Sequence, residues 1–192
     1  MMERSEFIVL TLGAAAVPAV MGAPNVVYTT LQSAPFPHAS RASGHTYQKK
    51  LYDAAAHYSD RTVGIFKPPG YVDRDTVDFI VHFHGWNNHV RQVFERYNLA
   101  AQVTRSNVNA ILVVPQGPLD APDSGDGKLE LDDNGFARFM QDVTAYLNAH
   151  YAVNAQKIGR IVLTTHSGGY GGAGGVLTRG GMNDRITDVI LF

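Results

Sequence analysis

The segment Thr164–Gly175 reads TTHSGGYGGAGG and places one serine directly before a run of glycines. Two chemistries suit that composition. A glycine-rich turn at the start of a helix can bind a phosphate through its backbone N–H groups. A sharp strand-to-helix turn can instead present the serine hydroxyl as a nucleophile. The residues around the segment must therefore decide between the two interpretations.

The phosphate interpretation rests on Gly169, Gly171 and Gly174, which fit the G-x-G-x-x-G pattern of dinucleotide-binding folds. A segment this rich in glycine matches the pattern easily, so the match discriminates poorly. The acid that binds the ribose should stand about 20 residues further on, at the end of the next strand. Asp188 stands near the start of that strand instead. Dinucleotide binding is therefore kept as an alternative function.

The nucleophile interpretation rests on Ser167, which follows the apolar segment IGRIVLTT and precedes a predicted helix. A turn of this kind strains the serine backbone, pushes the hydroxyl out of the sheet, and needs small residues two positions before and after. Gly169 satisfies the second position, whereas Thr165 stands where glycine is usual. His166 lines the turn, with its side chain expected to point away from that of Ser167.

A second segment, His84-Gly85-Trp86, ends another apolar stretch. The oxyanion formed in acyl transfer needs preorganised N–H donors. We expect the backbone N–H groups of Trp86 and Gly168 to be those donors. Gly85 would let its loop bend so that the neighbouring amide faces the pocket, and sites of this kind lie at the carboxyl ends of parallel strands.

Five apolar segments predict strands, and amphipathic segments between them predict helices over about 90–101, capped by Asn88, and about 136–147. The strand segments are RTVGIF, VDFIVHF, AILVVP, IGRIVLTT and ITDVILF. Alternation of strands and helices predicts an α/β fold with a mostly parallel sheet and helices on both faces. The glycines after Ser167 predict a short or marginal helix there.

The motifs HFHGW, AILVVPQG and IVLTTHSGG, in this order, resemble the α/β-hydrolase family, most closely its secreted esterase and polyester-depolymerase-like branch. The resemblance covers roughly residues 61–192. It implies small-molecule or polymeric ester substrates, an acyl-enzyme mechanism and no cofactor. It also implies that Ser167 is the nucleophile and that the backbone N–H groups of Trp86 and Gly168 are the oxyanion donors. Four residues are expected to support these loops, namely His84, Gly85, His166 and Gly169.

The partners of the nucleophile are missing from the expected place. In this family the order along the chain is serine, acid, histidine, but after Ser167 the sequence offers only Asp184 and Asp188 and no histidine. Both aspartates lie at the wrong end of a strand. We therefore expect a C-terminally truncated hydrolase that is inactive alone, unless another chain supplies the acid and the histidine. A non-catalytic relative is a further alternative.

Length and composition predict one domain of 192 residues, and a net charge of −1 gives no field to attract nucleic acid. The absence of cysteine excludes disulfides and thiolate metal sites. Residues 7–23 carry no charge and predict a signal peptide over 1–23. The protein is then expected to be secreted or periplasmic, without stable membrane anchoring. The alternative for this segment is a buried strand or helix. Residues 24–60 are expected to be a spacer and lead-in, and 61–192 a partial hydrolase domain.

Two other groups of residues suggest metals only weakly. His82 and His84 share one face of a strand and, with His89, give a possible zinc pattern. We expect a packed histidine and a loop histidine instead, and no metal. The acidic loop over 120–133 is expected to be a solvated loop or a substrate rim, and calcium binding by it is left open.

Overall fold

The computed structural model describes residues 25–151 and 153–192. The predicted signal peptide over 1–23 lies outside these residues. Across the described ranges, no helix combines the length and the apolar character needed to cross a bilayer.

A six-stranded sheet forms the centre of the fold, in the order β1-β4-β6-β5-β7-β8. The strands β6, β5, β7 and β8 are mutually parallel, and β1 and β4 are joined to this group by antiparallel pairing. A separate two-stranded hairpin is formed by β2 and β3. The strand bounds are β1 Val27–Thr30, β2 His45–Tyr47, β3 Lys50–Tyr52, β4 Thr62–Phe66, β5 Thr76–Phe83, β6 Ala110–Pro115, β7 Lys157–Thr165 and β8 Ile186–Leu191.

Helices lie on both faces of this sheet because the central strands carry apolar side chains on both sides. Val81 and its alternate neighbours on β5 pack in one core with Phe139 and Val176, whereas Ile80 faces a second core with Val93. The predicted α/β class with a mostly parallel sheet is thus confirmed. The helix bounds are α1 Ala54–His57, α2 Val90–Arg96, α3 Leu99–Ser106, α4 Gly127–Leu131, α5 Gly135–His150 and α6 Tyr170–Arg179.

The helix predicted over 90–101 is in fact two helices, α2 and α3. Asn98 separates them with a φ of +51°, a left-handed conformation that asparagine adopts more readily than most residues. Asn88 is not the capping residue, because its side chain donates a hydrogen bond to the Trp86 carbonyl at 2.9 Å and the N-cap position belongs to His89. The helical spacing of apolar residues could not show this break.

The described part of the segment 24–60 is not a spacer. Val27–Thr30 pairs with β4 as an edge strand of the main sheet, and the hairpin β2–β3 and helix α1 follow it. These elements are three or four residues long and mostly half-buried or exposed. The strands among them have too few residues for hydrophobic periodicity to reveal them.

Candidate active site

Ser167 lies in a sharp turn between β7, which ends at Thr165, and α6, which begins at Tyr170. Its φ is +49°, so a non-glycine residue occupies the left-handed region, as predicted for a strained turn. Its side chain is exposed to solvent. The turn therefore presents the serine hydroxyl at the carboxyl edge of the sheet.

The position two residues after the serine shows why glycine is needed there. A β-carbon at Gly169 would lie 2.5 Å from the carbonyl oxygen of Phe83 and 3.0 Å from that of His84. The turn therefore passes directly over the end of β5. The position two residues before the serine is different: Thr165 is fully buried, and within the described part of the chain its hydroxyl has no hydrogen-bond partner.

The loop after β5 reaches the serine through Gly85. A β-carbon at this position would lie 2.9 Å from the carbonyl oxygen of His166 and 3.2 Å from the β-carbon of Ser167. Since β5 and β7 are adjacent and parallel, their carboxyl ends bring the two predicted loops together. The structure thus brings together the two loops that the sequence predicted at this edge of the sheet.

Two backbone N–H groups beside Ser167 have no hydrogen-bond acceptor in the part of the chain that the structure describes. Across residues 25–151 and 153–192, neither the N–H of Trp86 nor that of Gly168 donates a hydrogen bond to the backbone or to a side chain. An oxyanion hole requires free N–H donors beside the nucleophile. Their assignment as oxyanion donors stays a prediction, since it depends on where a substrate oxygen sits.

His84 supports the loop from beneath and is 6% exposed. Its Nε2 accepts a hydrogen bond from the Gly117 N–H at 3.1 Å, and its Nδ1 lies 2.9 Å from the Gly85 carbonyl. Because Nε2 accepts, the proton must be on Nδ1, which donates to Gly85. Burial lowers the pKa of His84 and favours this neutral form. The His84 ring thus links the Gly85 carbonyl to the Gly117 N–H, and its role as a supporting residue stays a prediction.

Gln116 is a supporting residue that sequence reasoning missed. It is 1% exposed, accepts a hydrogen bond from the Val90 N–H at 2.9 Å, and approaches His84 Nε2 at 3.0 Å through its amide nitrogen. It thereby joins the start of α2 to the histidine under the loop. The available signal was a polar residue directly after the buried strand AILVVP.

The three histidines of the possible zinc pattern have separate partners. His82 lies 2.9 Å from the Thr164 hydroxyl through Nδ1, His89 lies 3.0 Å from Asp120, and both ring nitrogens of His84 are engaged as described. Burial, with smaller effects from His84 and His166, lowers the pKa of His82 to about 4. In the described ranges no three histidine, aspartate or glutamate side chains converge as metal ligands.

His166 packs beneath the turn. Its ring lies 5.1 Å from that of Tyr97 at an interplanar angle of 36°, on the side of the sheet that carries α2 and α3. Its Nδ1 is buried and has no hydrogen-bond partner among the described residues. Within those residues, no histidine or carboxylate makes a hydrogen bond with the Ser167 hydroxyl.

The acidic loop is not simply solvated, which corrects the prediction for two of its aspartates. Asp123 is 7% exposed and accepts two hydrogen bonds from Arg41, at 2.6 and 2.8 Å. Burial raises the pKa of Asp123, but the hydrogen bonds from Arg41 and Gly125 outweigh burial and leave the pKa below its usual value. The partner Arg41 is 82 residues away in sequence, so no local pattern could reveal the pair.

Asp126 is the second buried aspartate and lies under the first turn of α6. A β-carbon at Gly172 would lie 1.7 Å from one carboxyl oxygen of Asp126, and one at Gly117 would lie 2.9 Å from the other. Burial, followed by the nearby charges of Glu130 and Asp123, raises the pKa of Asp126 well above its usual value. The glycine at 172 is thus explained by close packing, and α6 is stabilised by tertiary contacts despite its glycines.

Comparison with known proteins gives limited similarity. No protein-family model and no curated protein matches the chain. An S-formylglutathione hydrolase from Agrobacterium tumefaciens matches with a TM-score of 0.47 and 16% identity, over 68% of this chain and 51% of that one. The lipase BlEst2 of Bacillus licheniformis, in propeptide form, matches with a TM-score of 0.44 and 15% identity, over 67% of this chain and 24% of that one. Esterase B from Lactobacillus rhamnosis matches with a TM-score of 0.39 and 15% identity, over 86% of this chain and 48% of that one.

This chain spans about half the length of the first and third proteins and about a quarter of the second. Because the identities are 15–16% and the TM-scores are below 0.5, no property of these proteins is carried over to this chain. Any activity of this chain must be inferred from its own site.

Proposed function

We propose that this chain carries the nucleophile and oxyanion elements of a serine hydrolase of the α/β-hydrolase type that cleaves esters. The observation that carries the proposal is the conformation of Ser167, which has a φ of +49° and an exposed side chain at a strand-to-helix turn. A protein does not hold a serine in this costly conformation without compensation. The nucleophile elbow of α/β hydrolases has the same strand–serine–helix arrangement.

The chemistry would begin with attack of the Ser167 hydroxyl oxygen on the ester carbonyl carbon. The new C–O bond forms as the carbonyl electron pair moves to its oxygen, and the N–H groups of Trp86 and Gly168 stabilise that oxyanion. Collapse of the tetrahedral species breaks the ester C–O bond, and the leaving oxygen takes up the proton removed from Ser167 and departs as the alcohol. Water then hydrolyses the remaining acyl-enzyme to the acid and free serine. The reaction needs no cofactor.

The proton of Ser167 requires a base that the described residues do not provide. A serine without an adjacent base is a weak nucleophile at neutral pH. We propose that the histidine and the acid of the triad come from outside the described residues or from another chain. The chain alone is then expected to react with serine-directed reagents slowly.

The dinucleotide alternative is less well supported by the surroundings of the glycines. A β-carbon at Gly171 would lie 2.6 Å from the Ser124 carbonyl oxygen, and Gly172 faces the buried carboxyl of Asp126. Close packing of α6 against Ser124 and Asp126 therefore explains these glycines without a bound pyrophosphate. The other alternative, a non-catalytic relative, differs from the enzyme in having no activated serine, and the following labelling experiment distinguishes the two.

The test is labelling with a fluorophosphonate, which reacts with activated serines. The protein purified from its natural source and the 192-residue chain are both labelled, beside the variants Ser167→Ala and Ser106→Ala. Ser106 is exposed on α3 and serves as the control. Labelling of the natural protein that is lost in Ser167→Ala and kept in Ser106→Ala supports the proposal.

Failure to label the natural protein, or labelling that survives Ser167→Ala, overturns the proposal. Labelling of the natural protein but not of the 192-residue chain supports it and places the base outside this chain.

A further inference from the structure

Trp86 is the single tryptophan of the chain, and its side chain is not buried. The residue is 39% exposed although an indole gains more than most side chains from burial. It follows Gly85, whose backbone lies against Ser167. A large flat aromatic ring is therefore kept in contact with solvent directly beside the candidate nucleophile.

The indole is held in place by three separate contacts. Its Nε1–H donates to the Ser124 hydroxyl at 2.8 Å. The ring of Tyr47, at the end of β2, lies 5.2 Å away at an interplanar angle of 70°. A β-carbon at Gly168 would lie 2.2 Å from Trp86 Cδ1, so the indole rests against the α-carbon of the residue that follows the serine. These contacts fix the ring before any ligand binds.

The segment that holds Ser124 is itself anchored. The neighbouring Asp123 is paired with the Arg41 guanidinium through two hydrogen bonds, and Asp126 is buried under α6. Ser124 therefore offers the indole a fixed acceptor. Preorganisation of this kind lowers the entropy lost when a ligand stacks on the ring.

We propose that the Trp86 indole is a stacking surface for a planar aromatic group of the substrate next to the scissile ester, as in a benzoate-type ester. A fixed indole favours flat rings over puckered rings of the same size, because aromatic pairs gain energy beyond their buried area. Ser124 is the positioning residue that keeps the indole in place. This inference rests on the proposed ester hydrolysis for its substrate class, and its test requires binding alone.

The experiment compares methyl benzoate with methyl cyclohexanecarboxylate, which share a carbon count and differ in ring planarity. Both ligands are titrated against the Ser167→Ala variant of the chain, which cannot form an acyl-enzyme, and binding is followed by ligand-observed NMR. The expected result is about threefold to tenfold tighter binding of methyl benzoate. Emission from Trp86, the single tryptophan, should change as either ligand binds beside it.

Two further substitutions in the same background locate the preference. Trp86→Leu keeps an apolar side chain without a flat ring and should abolish the preference. Tyr170→Leu removes another exposed aromatic ring near Ser167 and should leave the preference intact. Ser124→Ala should lower the fluorescence anisotropy of Trp86 and weaken the preference, because the indole loses its hydrogen bond.

Equal or tighter binding of the cyclohexane ester, no binding of either ester, or a preference that survives Trp86→Leu would overturn the inference. The labelling of Ser167 is independent of these measurements. Labelling without a ring preference rejects the stacking surface alone. A ring preference without labelling of the natural protein rejects the hydrolase and leaves an aromatic-binding site.

Discussion

The Nε2 atom of His84 accepts a hydrogen bond from the Gly117 N–H at 3.1 Å, and this bond ties the carboxyl end of β5 to that of β6. On its other side the same ring donates to the Gly85 carbonyl. The loop that lies against Ser167 is therefore fixed from beneath by a neutral, buried imidazole.

Replacing His84 with leucine should destabilise the protein, because it leaves the Gly117 N–H and the Gly85 carbonyl without these partners. The free energy of unfolding should fall by roughly 2–4 kcal/mol, measured by urea denaturation. The control is His150→Leu, at an exposed position at the end of α5, which should change the unfolding free energy by less than about 0.5 kcal/mol. Equal effects of the two substitutions would contradict a structural role for His84.

Two glycines close to each other should respond in opposite ways to alanine. Gly169→Ala places a β-carbon 2.5 Å from the Phe83 carbonyl oxygen and should destabilise the fold by about 2 kcal/mol or more. Gly174→Ala meets no atom within 4 Å and lies inside α6, so it should stabilise the protein by up to about 1 kcal/mol. Thermal unfolding of both variants checks the pair, and stabilisation by Gly169→Ala would show that the turn does not cross β5 closely.

Replacing two adjacent threonines of β7 with valine, one at a time, should change the free energy of unfolding in opposite directions. The Thr165 hydroxyl is buried without a partner among the described residues, so Thr165→Val should raise the unfolding free energy by about 1 kcal/mol. The Thr164 hydroxyl is bonded to His82, so Thr164→Val should lower it by about 1 kcal/mol. Chemical denaturation of the two variants measures the difference, and a loss of stability in Thr165→Val would mean that its hydroxyl has a partner.

His82 should make the fold less stable in acid. Its pKa is about 4 in the folded protein and near 6.5 when unfolded, so between these values the unfolded chain binds a proton that the folded chain does not. Stability is therefore lost as pH falls through this window. Between pH 7 and pH 5 the native protein should lose about 2 kcal/mol more than His82→Gln, which has no such proton.

The native protein is compared with His82→Gln because other groups also make the free energy of unfolding depend on pH. The pKa of His84 is also lowered, with the same sign, whereas the raised pKa of Asp126 gives a loss of stability as pH rises. Urea denaturation at both pH values isolates the contribution of His82. Parallel losses in the native protein and in His82→Gln would show that the histidine is not buried in its neutral form.

The candidate site was predictable where its signal is local. Ser167 and Gly169 stand two residues apart, and the packing demand at Gly169 is a property of any tight strand-to-helix turn. Trp86 follows the end of an apolar strand, and the order of strands along the chain puts its loop at the same edge as Ser167. The roles of these residues in catalysis remain predictions.

Three other residues around the site were not predictable, because their partners are distant in sequence. Gln116 joins α2 to His84, Arg41 binds Asp123, and Ser124 binds the Trp86 indole across 38 residues. Because these hydrogen bonds join residues far apart in the sequence, neither hydrophobic periodicity nor local composition predicts them. A short edge strand such as β1 is hidden for a related reason, since its partner β4 decides its conformation.

By itself the sequence determined the central strands, the longest helix and the sharp turn at Ser167, because periodicity, chain stiffness and glycine content act between near neighbours. The tertiary structure decided which histidines are buried and neutral, which aspartates leave the solvent, and that the Trp86 indole stands against Gly168. Burial and charge depend on what the rest of the chain brings to a residue, and that is fixed only when the sheet and its loops assemble.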